Sequence, residues 1–212
     1  MPMPSTTQFI ESKHIVPEAS GAFDYTMRGL LSFCSNIGPG TRVLDVGCGN
    51  GLGAAEFAKF GCAVVGIDLA KAGIRFAREA CPTGRFELLP ADSNMLENLG
   101  EKPFDIVYSL EVIEHLYDPR SFLAGCFAAT KSGGQFICST PYHGYLKNLM
   151  ISMVNGWDKH LPPGNDGGHI KFFSRKSLSA LLTEAGFQNL HFRGLGRAPY
   201  LWKSMILSGT KP

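Results

Sequence analysis

Residues 45–51 read Asp45-Val46-Gly47-Cys48-Gly49-Asn50-Gly51, an acid followed by three alternating glycines, set between a β-branched run and an Ala-rich run. Glycine tolerates positive φ and lets a ligand approach the backbone closely. A turn of this kind at the carboxyl end of a strand is where α/β sheets dock ligands. The plainer alternative is a tight strand-to-helix turn with no ligand. Two further acids favour the ligand. Asp68 closes the run Val64-Val65-Gly66-Ile67-Asp68, placed to accept both hydroxyls of a ribose. Asp92, in Ala91-Asp92-Ser93, stands to receive an adenine amino group, and Asp45 to hold the ammonium of a methionine moiety. A dinucleotide oxidoreductase would share the glycines and Asp68, but would show GxGxxG spacing and no acid opening the turn. The candidate cofactor set is therefore Asp45, Gly47, Cys48, Gly49, Asp68, Leu69, Asp92, Ser93 and Leu110.

A second group follows in Ser109-Leu110-Glu111-Val112-Ile113-Glu114-His115-Leu116. If a helical turn opens here, Glu111, Glu114 and His115 share one face. Two carboxylates and an imidazole so placed can hold a divalent cation. The metal-free alternative packs His115 near the cofactor or uses it as a general base. Downstream, Asp166-Gly167-Gly168-His169-Ile170-Lys171-Phe172-Phe173-Ser174-Arg175 carries His169 in a loop whose glycines would let it reach a ligand. Glu111, Glu114, His115 and His169 are thus the candidate catalytic and metal-binding residues. His143 and His160 are rival ligands or bases, with a surface or satisfied loop histidine the simpler expectation for each.

The elements that must position these residues alternate. The spacing predicts helices over 22–36, 52–60, 70–80, 120–130 and 174–185, and strands over 42–46, 62–67, 85–89, 104–110 and 135–139. Two last strands are expected over 187–193 and 201–207, as an antiparallel edge hairpin. Continuous apolar strands alternating with helices imply a parallel sheet covered on both faces. The segment 141–168 is long for a connection, and such insertions are usually functional. Within it, Leu146, Leu149, Met150, Met153, Val154 and Trp157 predict one amphipathic helix over 145–157.

Together these motifs resemble the class I S-adenosylmethionine methyltransferases. The family's D-x-G-x-G motif corresponds to Asp45-Val46-Gly47-Cys48-Gly49, its ribose acid to Asp68 and its adenine-side acid to Asp92. The resemblance runs from about Arg42 to Ser139. It implies a Rossmann-like fold, a seven-stranded, mostly parallel sheet with a reversed final strand and helices on both faces. It also implies S-adenosylmethionine as cofactor. The E-x-x-E-H run with a later His is similar to two metal-assisted groups: the ubiquinone-biosynthetic O-methyltransferases, which modify catechol-type rings on a polyprenyl tail, and the Hen-type small-RNA 2′-O-methyltransferases. In both, the resemblance implies a divalent ion such as Mg²⁺ at positions matching Glu111, Glu114, His115 and His169. Tyr142-His143-Gly144-Tyr145-Leu146-Lys147-Asn148 and Trp157-Asp158-Lys159-His160 depart from the ubiquinone pattern, which leaves open a sugar or lipid-linked acceptor.

Bulk properties agree with one domain over 1–212, comprising a loose N-terminal segment, 1–19, and a lid, 141–168. Of the 212 residues, 44% are hydrophobic and 18% charged, and the net charge is +2. There is no basic arm and no aromatic-basic platform, so nothing signals a nucleic-acid partner. The first residues lack a signal-peptide pattern. Six scattered cysteines without a CxxC pair suit a reducing cytoplasm. The expected activity is methyl transfer to a hydroxyl of a small aromatic, lipid or saccharide acceptor. Residues 145–157 cover that acceptor or make peripheral membrane contact. The alternatives are a metal-independent enzyme with a His base, a small-RNA 2′-O-methyltransferase, a nucleotide-binding oxidoreductase and a non-catalytic cofactor-binding protein.

Overall fold

The computed structural model describes residues 21–162, 164 and 167–212. The loose segment expected over 1–19, and Asp166, lie outside the described residues. Seven strands form one sheet: β1 (Arg42–Val46), β2 (Ala63–Asp68), β3 (Arg85–Leu88), β4 (Phe104–Leu110), β5 (Thr130–Pro141), β6 (Gln188–Leu195) and β7 (Ser204–Thr210). Their order is β3-β2-β1-β4-β5-β7-β6. β1 to β5 pair in parallel, and β7 lies antiparallel between β5 and β6. The final hairpin is therefore not wholly an edge: β7 is buried almost throughout, whereas β6 alternates as an edge strand does.

The helices are α1 (Phe23–Leu31), α2 (Leu52–Ala58), α3 (Lys71–Ala80), α4 (Met95–Leu99), α5 (Pro119–Ala129), α6 (Tyr145–Met153), α7 (Trp157–His160) and α8 (Arg175–Glu184). One core joins α1, α2 and α3 to the sheet through Leu30, Phe57, Ile74, Tyr108 and Ile206. The other joins α4, α5 and α8 through Met95, Phe122, Leu182, Val107 and Phe136. Successive side chains on a strand point to opposite faces, so Val43 enters the first core and Leu44 the second.

Local chemistry sets the boundaries. α5 begins where Asp118 accepts from the Arg120 and Ser121 amides, with Pro119 in the first turn. α8 begins at Ser174, which forms a reciprocal capping pair with Ser177. α1 is shorter than its periodicity suggests: the Ser32 hydroxyl donates to the Gly29 carbonyl, and Asn36 takes a positive φ. The single helix expected over 145–157 is two, because Asn155 adopts φ +49° and Gly156 follows. No residue of α6 or α7 is buried, so their apolar side chains have no core to enter.

One contact positions the loop after β3. Gly125 of α5 meets the Asp92 carbonyl so closely that a Cβ there would stand 2.0 Å from its oxygen. Gly125→Ala gains helix propensity, but the overlap forces the 91–94 loop outward. We expect a net loss of about 1–3 kcal/mol in urea unfolding; unchanged or increased stability would show that the loop yields freely.

Candidate functional site

The glycine turn is held from two sides. Gly47 and Cys48 N–H donate to the Ile67 carbonyl at 2.8 and 2.9 Å, tying the turn to β2. The Gly49 N–H donates to Asp68 Oδ2 at 2.9 Å, and the Ala70 N–H to Oδ1 at 2.8 Å. Gly47, Gly49 and Gly51 all have positive φ. A Cβ on Gly47 would stand 2.4 Å from Val112, and one on Gly51 2.5 Å from the Ala77 backbone. Gly49 differs: nothing lies within 4 Å of where its Cβ would stand. That open face is where a ligand can lie against the backbone.

The neighbouring acids stand as the sheet order requires. Asp68 ends β2, and the loop after β3 carries Asp92 and Ser93 beside it. Asp92 Oδ1 accepts from the Asn94 amide, and the Ser93 amide donates to Ser121 Oγ. Leu69 and Leu110, at the ends of β2 and β4, are half-buried on the same rim. The rim thus offers open backbone at Gly49 flanked by two carboxylates, which fits a nucleoside joined to a charged tail.

Asp45 is placed differently from the sequence expectation. It is only 3% exposed, and its Oδ2 accepts the Tyr108 hydroxyl at 2.6 Å. Asp45 and Tyr108 are direct partners in the β1–β4 register. Tyr108 stacks on Phe57, and Gly53 of α2 leaves room for the hydroxyl. Asp45 therefore lies beneath the turn rather than on its rim. Burial raises its carboxyl to about 7, against a smaller opposing effect of the Tyr108 hydrogen bond.

The second group converges only in part. Ile113–His115 form one 3-10 turn, while Glu111 sits before it with φ +55°. The helical face expected to join Glu111 to Glu114 and His115 does not form. Glu111 instead accepts from Ser139 Oγ at 2.8 Å and Ser204 Oγ at 3.2 Å, with the Tyr25 hydroxyl 3.4 Å beyond Ser204. Glu114, His115 and His169 do converge, each offering a ligand atom within 4.8 Å of the others. Glu111 is corrected out of that cluster, because its backbone leaves the strand left-handed and its carboxylate turns to the two serines.

The cluster's polarity is unusual. Glu114 is 1% exposed; its Oε2 accepts from Thr140 at 3.0 Å, and its Oε1 has no hydrogen-bond partner. Both His115 Nε2 and His169 Nε2 stand 4.0 Å from that Oε1. His115 Nδ1 lies 2.8 Å from the Gly167 carbonyl, which can only accept, so Nδ1 carries a proton and Nε2 is the nitrogen left toward Glu114. The Ile170 and Lys171 amides donate to the Glu114 carbonyl and fix His169 opposite the turn. Burial, reinforced by Glu111, pushes the Glu114 carboxyl well above its usual range. Burial pushes His169 down to about 4. Two imidazole nitrogens and the unpartnered Oε1 thus surround a space that suits a proton or a cation.

Sequence reasoning missed Tyr108, Thr140 and Lys147. Lys147 Nζ donates to the Tyr142 carbonyl at 2.7 Å and the Lys203 carbonyl at 3.3 Å, pinning α6 to the ends of β5 and β7. Only the D-x-G-x-G acid, needing a partner once buried, could have pointed to a hydroxyl on β4.

Comparison with known proteins places this arrangement. A methyltransferase domain model matches residues 20–192. A ubiquinone biosynthesis O-methyltransferase from Ruegeria sp. (strain TM1040) is 33% identical over 199 residues, spanning 91% of this chain and 76% of its own length. Its counterpart from Cereibacter sphaeroides (strain ATCC 17029 / ATH 2.4.9) is 30% identical over 191 residues, spanning 89% and 75%. Among solved structures, magnesium protoporphyrin IX methyltransferase from Synechocystis PCC 6803 with bound S-adenosylhomocysteine superposes with a TM-score of 0.66 at 17% identity, covering 88% of this chain and 82% of that one.

The raised carboxyl of Asp45 has a direct consequence for stability. An acid whose folded pKa exceeds its unfolded value favours the fold at low pH, and that contribution is lost as pH rises through the folded pKa. For Asp45 the window runs from about 4 to about 7. Asp45→Asn removes this dependence, so the stability of the ligand-free variant relative to wild type should rise across that window by up to a few kcal/mol. Urea unfolding at pH 4.5 and 8 reads it; a variant-to-wild-type difference independent of pH would refute the assignment.

Proposed function

The chain belongs to the methyltransferase family and is an S-adenosylmethionine-dependent methyltransferase, and on that premise we propose that it methylates a hydroxyl oxygen with the help of a divalent cation at Glu114, His115 and His169. The acceptor class is a small aromatic, lipid or saccharide molecule. The observation that carries the cation is Glu114 Oε1, sealed from solvent without a donor and facing two imidazole nitrogens. Carboxylate and imidazole together form a donor set that suits Mg²⁺, Mn²⁺ or Zn²⁺.

S-adenosylmethionine supplies a sulfonium methyl group, and the chain's residues hold it in place. In this reading the open backbone at Gly49 receives the amino-acid end, with Asp68 at the ribose and the Asp92–Ser93 loop at the adenine. Asp45 acts from below, bracing the turn through its hydrogen bond with Tyr108. A cation at the triad would lower the pKa of the acceptor hydroxyl. Thr140 and the Gly167 carbonyl orient Glu114 and His115 for that task. Lining up the attacking oxygen with the methyl group falls to the residues around the triad.

The relatives named for ubiquinone biosynthesis favour an aromatic hydroxyl. The exposed Leu146, Leu149, Met150, Met153 and Val154 of the 141–168 lid favour an apolar acceptor, or a peripheral membrane surface that delivers one. Among the described residues no helix is long and apolar enough to cross a membrane.

The high carboxyl pKa of Glu114 also supports a second reading, in which a proton fills the space and a histidine acts as base. Methyl transfer to 3,4-dihydroxybenzoate, a soluble stand-in, separates the two. We expect EDTA to lower turnover by about 100-fold or more and Mg²⁺ to restore it. Glu114→Gln and His169→Ala should match the chelated enzyme, with S-adenosylhomocysteine affinity unchanged. Turnover indifferent to EDTA would leave the metal-free reading standing.

A further inference from the structure

We propose that His143 is a further acceptor-binding residue of this site, its Nε2 accepting a hydrogen bond from a hydroxyl of the methyl acceptor. The proposal rests on the methyl-transfer reading above. From sequence, His143 was expected to be a surface or satisfied loop histidine; it is neither. The residue is 7% exposed, at the rim just past the end of β5. Its amide donates to the Phe173 carbonyl at 2.9 Å, and the adjacent Tyr142 bridges to Phe173. The backbone is thereby laced to the strip of chain that carries His169. The ring is held between Phe172, at 4.9 Å between centroids, and His160, at 5.6 Å.

The two ring nitrogens differ. Nδ1 is sealed, and so is the unpaired Oδ1 of Asn148 in α6, the side chain that acts on the ring as a hydrogen-bond partner. The pair lies wide of ideal hydrogen-bond geometry, but a proton on Nδ1 is the arrangement that suits both atoms. That proton leaves the lone pair on Nε2. Among the described residues no donor reaches Nε2, and unlike Nδ1 it is not closed off. Burial, reinforced by the nearby Lys147 charge, holds the ring's pKa down to about 4, so the lone pair persists at working pH. The ring's two neighbours, Phe172 and His160, meet it tilted at 59° and 64°, and Phe172 is half exposed. A buried ring with one nitrogen fixed by the protein and the other left open is a specificity device: it rewards an incoming hydroxyl and penalises an apolar group in the same place.

The division of labour is then explicit. The Glu114–His115–His169 triad holds the reacting oxygen, and His143 reads a hydroxyl of the acceptor from the lid side. Asn148 couples the choice of tautomer to the position of α6, which Lys147 pins to β5 and β7.

The first test needs no acceptor. In ¹⁵N-labelled protein at pH 7, His143 should show a protonated Nδ1 and a bare Nε2; a proton on Nε2 overturns the proposal. The second uses 3,4-dihydroxybenzoate. His143→Phe keeps the ring packing and removes the lone pair, and should raise KM about three- to tenfold with little change in kcat. His143→Gln, which restores an acceptor, should recover part of the loss. S-adenosylhomocysteine affinity and Co²⁺ uptake should not move in either variant. An unchanged KM in His143→Phe overturns the assignment. Failure of the wild-type enzyme to methylate the catechol counts against the acceptor class alone, and the tautomer spectrum then decides His143 by itself.

Discussion

Everything at the site depends on β1 being paired with β2 on one side and β4 on the other. At that point the strand order reverses, and the crevice beyond the strand ends cannot be filled by a connection. The same pairing sets the register. Asp45 faces Gly66 on one side and Tyr108 on the other, so a buried acid meets a buried hydroxyl. The Ile67 carbonyl is left to receive the amides of the glycine turn. Moving β1 by one residue would put Asp45 on the opposite face of the sheet, away from Tyr108, and would unlatch the turn.

The acids around this crevice share a trait. Asp45, Glu111 and Glu114 are steadied by hydroxyls, from Tyr108, from Ser139 and Ser204, and from Thr140 respectively. Among the described residues, none of the three is salt-bridged to Lys or Arg. Hydroxyl donors limit the penalty of burial without neutralising the charge. The carboxyls are consequently raised, and they retain unspent attraction for positive charge. A site that receives a sulfonium needs that property, and an internal ion pair would have quenched it.

The acceptor side is built on different terms. No residue of α6 or α7 is buried, and the Lys147 hydrogen bonds and the His143–His160 ring contact hold them over the rim. Elements with few buried contacts belong to the low-stability end of a protein, where lids are found. The sheet below is rigid by comparison, closed by apolar side chains on both faces. The cofactor-side turn is thus anchored to the sheet, whereas α6 and α7 are lightly held over its rim.

The local signals in the chain were sufficient for the scaffold. β1 and β4 were legible to the residue, because β-branched runs bounded by Gly or Pro admit little else, and the alternation of strand and helix implied the parallel sheet. The places of the glycine turn, Asp68 and Asp92 at the ends of adjacent strands followed from spacing along the chain. The five-residue α4 was missed because it is too short to show periodicity. The fate of Glu111 was not legible either: helical spacing put it with Glu114 and His115, but its left-handed backbone and the serines of β5 and β7 drew it away. His143 looked like a loop histidine, because burial at the meeting of β5, α6 and the 169–173 strip is a property of three distant segments. Sequence by itself determined which chemical groups the chain possesses and which strand ends carry them, since those follow from short-range pattern. Only the tertiary structure decided which of them meet, because hydrogen-bond partners and burial come from long-range packing that spacing does not encode.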